Sequence, residues 1–432
     1  MIVNFAVQNF GTIKDKVTLS FEATNSKELE GYYVIEPIKG LRLLKFALIY
    51  GPNASGKSTL LKALDFLRNL VNPLSQKNQT FAFSPFLFDE KTIKENTFFS
   101  IEFIQYQVKY LYEVELNEKA IVAEKLSFFQ PNKALVYERK TDLDKQLSII
   151  QFGSKLKVNK EHKDVLEANT IWNNTVLGAY AKTNFESKEL QAVIDWFNYT
   201  LQGVIIPKTD LLPYISEKLE NEEINKINLL KVLQKADFNI SDISIKKTEI
   251  QIDDNLFDFL TKSSDKEVNR KYESKEVIFR QDFGNDSQKQ SFQLSYNHQS
   301  DGTKRYYQLS GLLLLMIQKG TIFPIDEIES SLHADLLKHF LLTFLVNSKD
   351  SQLIATTHHR ELLMEKDIFR HDVIWFTEKK TDGGTELYSL SDFNTSVIRD
   401  TSSIYNAYKI GKLGAVPNVG DYYLDLAENG KK

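Results

Sequence analysis

Residues 51–59 read GPNASGKST, a glycine, four residues, then Gly-Lys-Ser. A loop that wraps a polyphosphate must turn tightly and aim successive backbone N–H groups inward, and Gly51 and Gly56 permit that turn. Lys57, beside the second glycine, can reach the β- and γ-phosphates, and the hydroxyl of Ser58 is placed to ligate Mg²⁺. The flanks supply the context such a loop needs. Upstream, LRLLKFALIY (41–50) is an apolar run of strand length, expected to form one buried parallel strand. Downstream, Leu60, Ala63, Leu64, Leu67 and Val71 recur at helical spacing until Asn72-Pro73 stops the pattern. A helix N-terminus also attracts anions through its dipole. The stretch reads as a nucleotide site.

Composition sets the outer limits. A chain of 432 residues has room for two or three domains, and 42% hydrophobic with 26% charged residues is ordinary for a globular protein. Cysteine is absent, which excludes disulfides, thiolate metal sites and a cysteine nucleophile. The start, MIVNFAVQNFGTIKDK, has no basic segment leading into an apolar core, and no later apolar run approaches ~18 residues, so a cytoplasmic location away from membranes is expected. A net charge of −4 gives no general pull towards nucleic acid. The stretches KLKVNKEHK (155–163) and SDKEVNRKYESK (264–275) interleave lysines with acids and read as solvated loops.

The opening hundred residues read as α/β core with a strand-rich start. From 98 to 152, FFSIEFI, VKYLYEVEL, AIVAEKLSFF, ALVYERK and QLSIIQF are short β-type runs separated by turn residues, which predicts an antiparallel meander. From 187 to 236 the pattern becomes helical, and strand-like pieces return at 239–252 and 276–296. No internal repeat and no sustained heptad pattern is present.

The last third carries a second set of chemical residues. TIFPIDEIESSLH (321–333) is a strand-like run ending in Asp326 and Glu327. At the carboxyl end of a buried strand, Asp326 could hold the Mg²⁺ shell while Glu327 orients or deprotonates an attacking water. Taken alone, the run is equally a plain strand exit, and Pro324 counts against a central strand. In QLIATTHH (352–359), His358 or His359 would emerge beside the acids if the two strands are neighbours. In HQSDGTKRYYQLSGLLLLMIQKG (298–320), Ser300, Asp301 and Gly302 precede a helix whose end is marked by Gly320. That turn is a second anion site or an ordinary N-cap.

Together these motifs resemble the ABC-type ATPase heads of the SMC/RecF-like class, of the AAA_15/AAA_21 kind. MIVNFAVQNFGTIKDKVTLSF is similar to the start of such heads, an edge strand followed by a second strand. GPNASGKST matches the Walker A motif, TIFPIDE the Walker B, SSLH (330–333) the D-loop and TTHH the switch histidine, and QSDGTKR sits where the signature belongs. The signature keeps the serine and glycine of Leu-Ser-Gly-Gly-Gln but not the whole motif, and no glutamine is assigned to a Q-loop. The resemblance implies an α/β fold in which a mixed P-loop sheet joins an antiparallel β lobe, with a helical/β insertion and no long coiled coil. It also implies ATP and Mg²⁺ as cofactors. Gly51, Pro52, Asn53, Ala54, Ser55, Gly56, Lys57, Ser58 and Thr59 would bind nucleotide together with Ser300 and Gly302 of a partner copy. Ser58 and Asp326 would hold the metal, and Lys57, Glu327 and His358 would carry catalysis. Residues 1–186 would be the N-terminal half of the head, 187–275 an insertion able to receive a partner, and 276–432 the C-terminal half.

The interval from Lys57 to Ser300 is too long for a compact transporter domain and too short for paired coiled-coil arms. The tail YNAYKIGKLGAVPNVGDYY (405–423) looks like the C-terminal signature of stand-alone ATPases from PARIS-type and abortive-infection anti-phage operons, whose genes neighbour a small nuclease-like or RloB-like subunit. Too little chain follows His358 for the fused nuclease of overcoming-lysogenization-type proteins, and DVIWFTEKKTDGGTELYSL already reads as a hairpin. The expected function is therefore an ATP-hydrolysing switch that forms a nucleotide-sandwich homodimer or higher homo-oligomer, controls a separate effector from the same operon, and answers a phage-encoded trigger. The alternative is a RecF-like repair clamp closing over duplex DNA, a partner that the charge does not indicate.

Overall fold

The computed structural model describes residues 1–72, 79–156, 158–251, 271–283, 290–365, 368–393 and 404–416. In chain order it begins with β1 (Ile2–Gln8), β2 (Val17–Ser20), the single turn α1 (Glu30–Tyr33), β3 (Val34–Ile38), β4 (Leu41–Leu44), β5 (Phe46–Tyr50) and α2 (Lys57–Leu70). The run 41–50 is two strands, not one. β4 pairs antiparallel with β3, whereas β5, buried at every position, joins a parallel sheet. The switch falls at Lys45, whose N–H donates to the Tyr33 carbonyl while its own carbonyl accepts from Leu353. Burial pushes the Lys45 ammonium down to about 8. A polar residue that cannot continue the apolar face marks where the chain leaves one sheet for another.

The antiparallel meander forms as expected: β6 (Thr97–Gln105), β7 (Val108–Leu116), β8 (Ile121–Phe129), β9 (Lys133–Asp142) and β10 (Leu147–Phe152). β1 pairs with β6 as well as with β2, giving a seven-stranded sheet in the order β10-β9-β8-β7-β6-β1-β2. The expected edge strand is thus interior, and β2 is the edge. Beneath this sheet Phe103 stacks on Trp196 with ring centroids 4.0 Å apart. Glu124 and Arg139, both fully buried, form an ion pair to which the Tyr112 and Tyr137 hydroxyls also donate.

The Lys-rich stretch at 155–163 is not wholly a loop. Asn159 accepts a hydrogen bond from the His162 N–H and starts α3 (Lys160–Asn169). Next come α4 (Val176–Tyr180), α5 (Lys188–Asp195) and a π turn over Trp196–Thr200, so the helical pattern near 187 is borne out.

Two compact units emerge. The first is Met1–Ile206, Thr321–Ile328 and Gln352–Lys432; the second is Pro207–Gly320 and Glu329–Ser351. The second holds α6 (Leu212–Glu220), α7 (Lys226–Lys235), the antiparallel strands β11 (Asp242–Gln251), β12 (Lys271–Phe283) and β13 (Gln290–Ser295), then α8 (Asp301–Gln318) and α9 (Ala334–Asn347). α8 is buried continuously from Arg305 to Met316, as expected of a helix that other elements surround, and it packs on α6, α7 and α9.

The first unit is completed by β14 (Ile322–Ile325), β15 (Gln352–Thr357), β16 (Ile374–Lys379), β17 (Thr385–Ser389) and the short α10 (Ile404–Lys409). Its second sheet runs β14-β15-β5-β16-β17, parallel except for the β16–β17 hairpin. Pro324 is tolerated because β14 is terminal in that order and because of its direction. Its carbonyl accepts from Ile205 on the side away from β15, so the N–H that proline lacks belongs to no β14–β15 bond. The buried Gln352 side chain ties the sheets together: its Oε1 accepts from Ile2 N–H at 2.6 Å, and its Nε2 donates to the Ile2 and Leu44 carbonyls, each at 3.0 Å. Among the described residues no helix is long and apolar enough to cross a membrane.

Candidate functional site

The loop from β5 to α2 is built for close backbone approach. Gly56 has φ +104° and Ala54 φ 62°, conformations that L side chains rarely adopt. A β-carbon on Gly51 would collide with Thr377 and Ser55, and one on Gly56 with Thr385. Those neighbours are themselves fixed. The Ser55 and Thr377 hydroxyls are 2.6 Å apart. The Thr12 hydroxyl, from the β1–β2 turn, lies 2.8 Å from that of Thr385 and 3.1 Å from that of Thr59. Lys57 is buried and its Nζ curls back over the loop, donating to the carbonyls of Gly51 at 2.7 Å and Pro52 at 3.0 Å. Ser58 is half-buried one residue further along the first turn of α2.

The acids stand on the neighbouring strands. β14 lies beside β15 in register Ile325↔Ala355, so Asp326, Glu327 and His358 all emerge at one end of the sheet. Thr356 organises them: its hydroxyl donates to Asp326 Oδ1 at 2.6 Å and accepts the Glu327 N–H at 2.8 Å. Asp326 is buried, while Glu327 is half-buried and held at φ 47°. The left-handed region is strained for a residue with a side chain, and such strain concentrates at functional sites. Gly51, Pro52, Asn53, Glu327 and His358 together line one cleft of about 920 Å³. His359 does not line it; its Nδ1 lies 3.7 Å from Glu361.

This donor set fits a magnesium nucleotide. The glycine cradle leaves room that a β-carbon would fill, and it is lined by peptide groups with a cation folded over it. Ser58 and Asp326 offer one hydroxyl and one carboxylate, a set suited to an ion that takes its remaining oxygens from phosphate and water. Among the described residues no cluster of three or more His, Asp or Glu side chains is placed to hold a metal by itself.

Ser300 and Gly302 belong to the second compact unit. Ser300 is exposed and caps α8, accepting the Thr303 N–H at 3.2 Å, with its hydroxyl 2.8 Å from that of Thr303. Gly302 lies close to the carbonyl of Ser331 in the D-loop stretch. His333 is the N-cap of α9, and His339 meets the Tyr306 hydroxyl at 2.5 Å.

Residues 46–365 match the model of the AAA_21 family, described as "AAA domain, putative AbiEii toxin, Type IV TA system". The chain belongs to that family. In this AAA_21 member the glycine loop follows a strand of a largely parallel sheet, and a separate antiparallel sheet carries the N-terminal strands. Among solved structures it is similar to the SMC head domain from Thermotoga maritima, at 12% identity and a TM-score of 0.40, over 90% of this chain and 98% of that one. It is also similar to an SMC head bound to the C-winged helix domain of ScpA, at 14% identity and a TM-score of 0.41, over 90% of this chain and 97% of that one. No curated relative matches the sequence.

Several contributors escaped the sequence reading. Thr356 stands in the quoted TTHH run, but its bonds to the acids depend on which strand is adjacent. Thr377 and Thr385 close the cradle from the hairpin, and Thr12 reaches it from the N-terminus. Arg360, Glu378, Lys379, Tyr408 and Val416 complete the cleft. Of these, Tyr408 and Val416 lay in the marked tail at 405–423 and Glu378 and Lys379 in the hairpin stretch at 372–390, whereas Arg360 lay in no marked stretch. Residues 417–423 of that tail lie outside the described residues.

Proposed function

We propose that this AAA_21 chain binds and hydrolyses ATP, and that the hydrolysis switches its hold on a separate effector in an anti-phage system. The observation that carries the enzymatic part is the single cleft shared by Gly51, Pro52, Asn53, Glu327 and His358. Lys57 binds the β- and γ-phosphates by exchanging the neutral Gly51 and Pro52 carbonyls for anionic phosphate oxygens, so that a cation meets full negative charge in place of two dipoles. Ser58 and Asp326 hold magnesium, which neutralises charge on the transferring group when bound. Glu327 orients the attacking water and takes its proton, and His358 steadies the terminal phosphate from the next strand. Ser300 and Gly302 serve the nucleotide of a second copy, which makes the active species a homodimer or a larger assembly of this chain. The effector role is supported by the family description, which carries a toxin-antitoxin system in its name. ATP drives such an output only through the different affinities of the two nucleotide states for the effector.

The test is phosphate release and ATP binding by the purified chain, with phage plating efficiency on cells carrying the whole locus. Lys57→Ala should lose binding and turnover together. Glu327→Gln should bind ATP, release no phosphate and abolish protection. Turnover unchanged in Lys57→Ala would refute the site, and full protection by Glu327→Gln would refute the switch.

A further inference from the structure

One wall of the nucleotide cleft comes from neither Walker motif. Tyr408 and Val416, in the C-terminal segment, line it together with Arg360, the first residue of a 3₁₀ turn that begins two residues after His358. The segment is firmly docked. The Tyr408 ring stacks on Phe376 with centroids 5.5 Å apart and leans on Tyr50, the residue before Gly51, at 6.0 Å. Its hydroxyl donates to the Ala415 carbonyl at 2.8 Å, and the Tyr388 hydroxyl donates to the Leu413 carbonyl at 2.8 Å. Gly414 has φ +63°, and a β-carbon there would strike Glu378 and Tyr388.

The Arg360 guanidinium lies 5.7 Å from the Tyr408 ring centroid. Among the described residues it makes no ion pair or hydrogen bond. A half-buried arginine lining the same cleft as the glycine loop, held only by an aromatic face, keeps its planar fork of donors available for an oxyanion.

We propose that Arg360 binds the terminal phosphate of ATP from within the same chain, and that Tyr408 is the positioning residue that presents it. The inference rests on the ATPase reading and adds to it. Binding at the γ-phosphate fixes the guanidinium, still seated on the ring, in a bidentate, charge-assisted contact, and loss of that phosphate loosens it. The Arg360–Tyr408 contact therefore differs between the ATP and ADP states, which couples the C-terminal segment to the stage of the cycle. ADP has no γ-phosphate, so Arg360 contributes to ATP affinity alone.

The experiment measures affinities for fluorescent ATP and ADP analogues, and ATP turnover, in the full chain and in Arg360→Gln, Tyr408→Phe, Tyr408→Leu and Arg360→Gln/Tyr408→Leu. Arg360→Gln should weaken ATP binding by about tenfold or more, as loss of a charge-assisted bond predicts, while ADP affinity stays within about twofold. Tyr408→Phe keeps the ring face and should retain the preference for ATP. Tyr408→Leu should lose it, and the double variant should be no worse than Arg360→Gln alone, because the two residues act through one contact. An unchanged ATP-over-ADP preference in Arg360→Gln would overturn the proposal. So would Tyr408→Leu weakening both nucleotides equally, which would make the ring a mere structural prop. Unaltered ADP binding reports that each variant is folded. If the unsubstituted chain binds neither nucleotide, or Lys57→Ala binds ATP as well as it does, the ATPase reading itself fails; ATP binding that requires Lys57 but not Arg360 defeats only the present inference.

Discussion

Glu327 carries a backbone cost at the position proposed for the catalytic base, and the cost can be measured. Its φ of 47° is imposed from both sides: its N–H donates to Thr356 Oγ1 at 2.8 Å, and the next N–H, from Ile328, donates to the Thr356 carbonyl at 3.1 Å. Any residue placed there inherits the left-handed conformation. For a residue with a β-carbon that conformation costs roughly 1–2 kcal/mol, and glycine avoids it. Glycine in turn gives up roughly 0.5–1 kcal/mol of extra chain entropy on folding. Glu327→Gly should therefore be more stable than Glu327→Ala by about 0.5–1 kcal/mol, although alanine is the better residue almost everywhere else. For a unit of this size that is a melting difference of about 1–4 °C. Differential scanning fluorimetry without nucleotide reads the stability, and phosphate release reads the function. Both variants should be inactive, since neither can hold the water. Glu327→Ala melting at or above Glu327→Gly would refute the argument, because the strain would then not be borne in solution.

Other outcomes follow from single observations. Gly56→Ala places a β-carbon at φ +104° against Thr385, so ATP affinity should fall by about tenfold or more in a direct binding titration. Glu124→Gln leaves the Arg139 guanidinium buried without its counter-charge and should cost about 3–5 kcal/mol, seen as a lower denaturation midpoint, with much of the loss recovered when Arg139 is also replaced by methionine. Burial, with help from Lys235, lowers the pKa of His339, so the fold favours its neutral form. The stability this gives is present above about pH 6.5 and is lost as pH falls below that value. The parent chain should thus lose more melting temperature between about pH 7 and 5 than His339→Gln, which keeps a partner for Tyr306 but cannot titrate.

What the sequence disclosed and what it hid differ in the range over which the signal acts. The glycine loop, its strand and its helix lie within one stretch of chain, and the meander advertises itself by alternation, as in β6, where Thr97, Phe99, Ile101 and Phe103 are buried and the residues between them are not. The two acids were legible because a strand ends just before them. Their organiser was not: Thr356 is one threonine among several in an apolar run, and only the parallel pairing of β14 with β15 puts its hydroxyl between Asp326 and the Glu327 N–H. The same limit explains Lys45, whose charge gave no warning that the run at 41–50 divides between two sheets, because the division depends on where Gln352 ties β1 and β4. It applies most strongly to the C-terminal segment. Tyr408 meets Tyr50 across nearly the whole chain, and no periodicity records a contact of that separation. A conformational coupling between the nucleotide cleft and the end of the chain would use contacts of this kind: the Tyr50 ring precedes the glycine loop, so the packing that positions Tyr408 also bears on the strand from which the cradle springs. Perturbing the docked turn at a point remote from the nucleotide, as Gly414→Ala would by driving Glu378 and Tyr388 apart, should therefore alter ATP turnover without touching any phosphate ligand. Unchanged turnover in a Gly414→Ala chain whose tail has become protease-sensitive would show that the docked segment and the cleft are neighbours only in space.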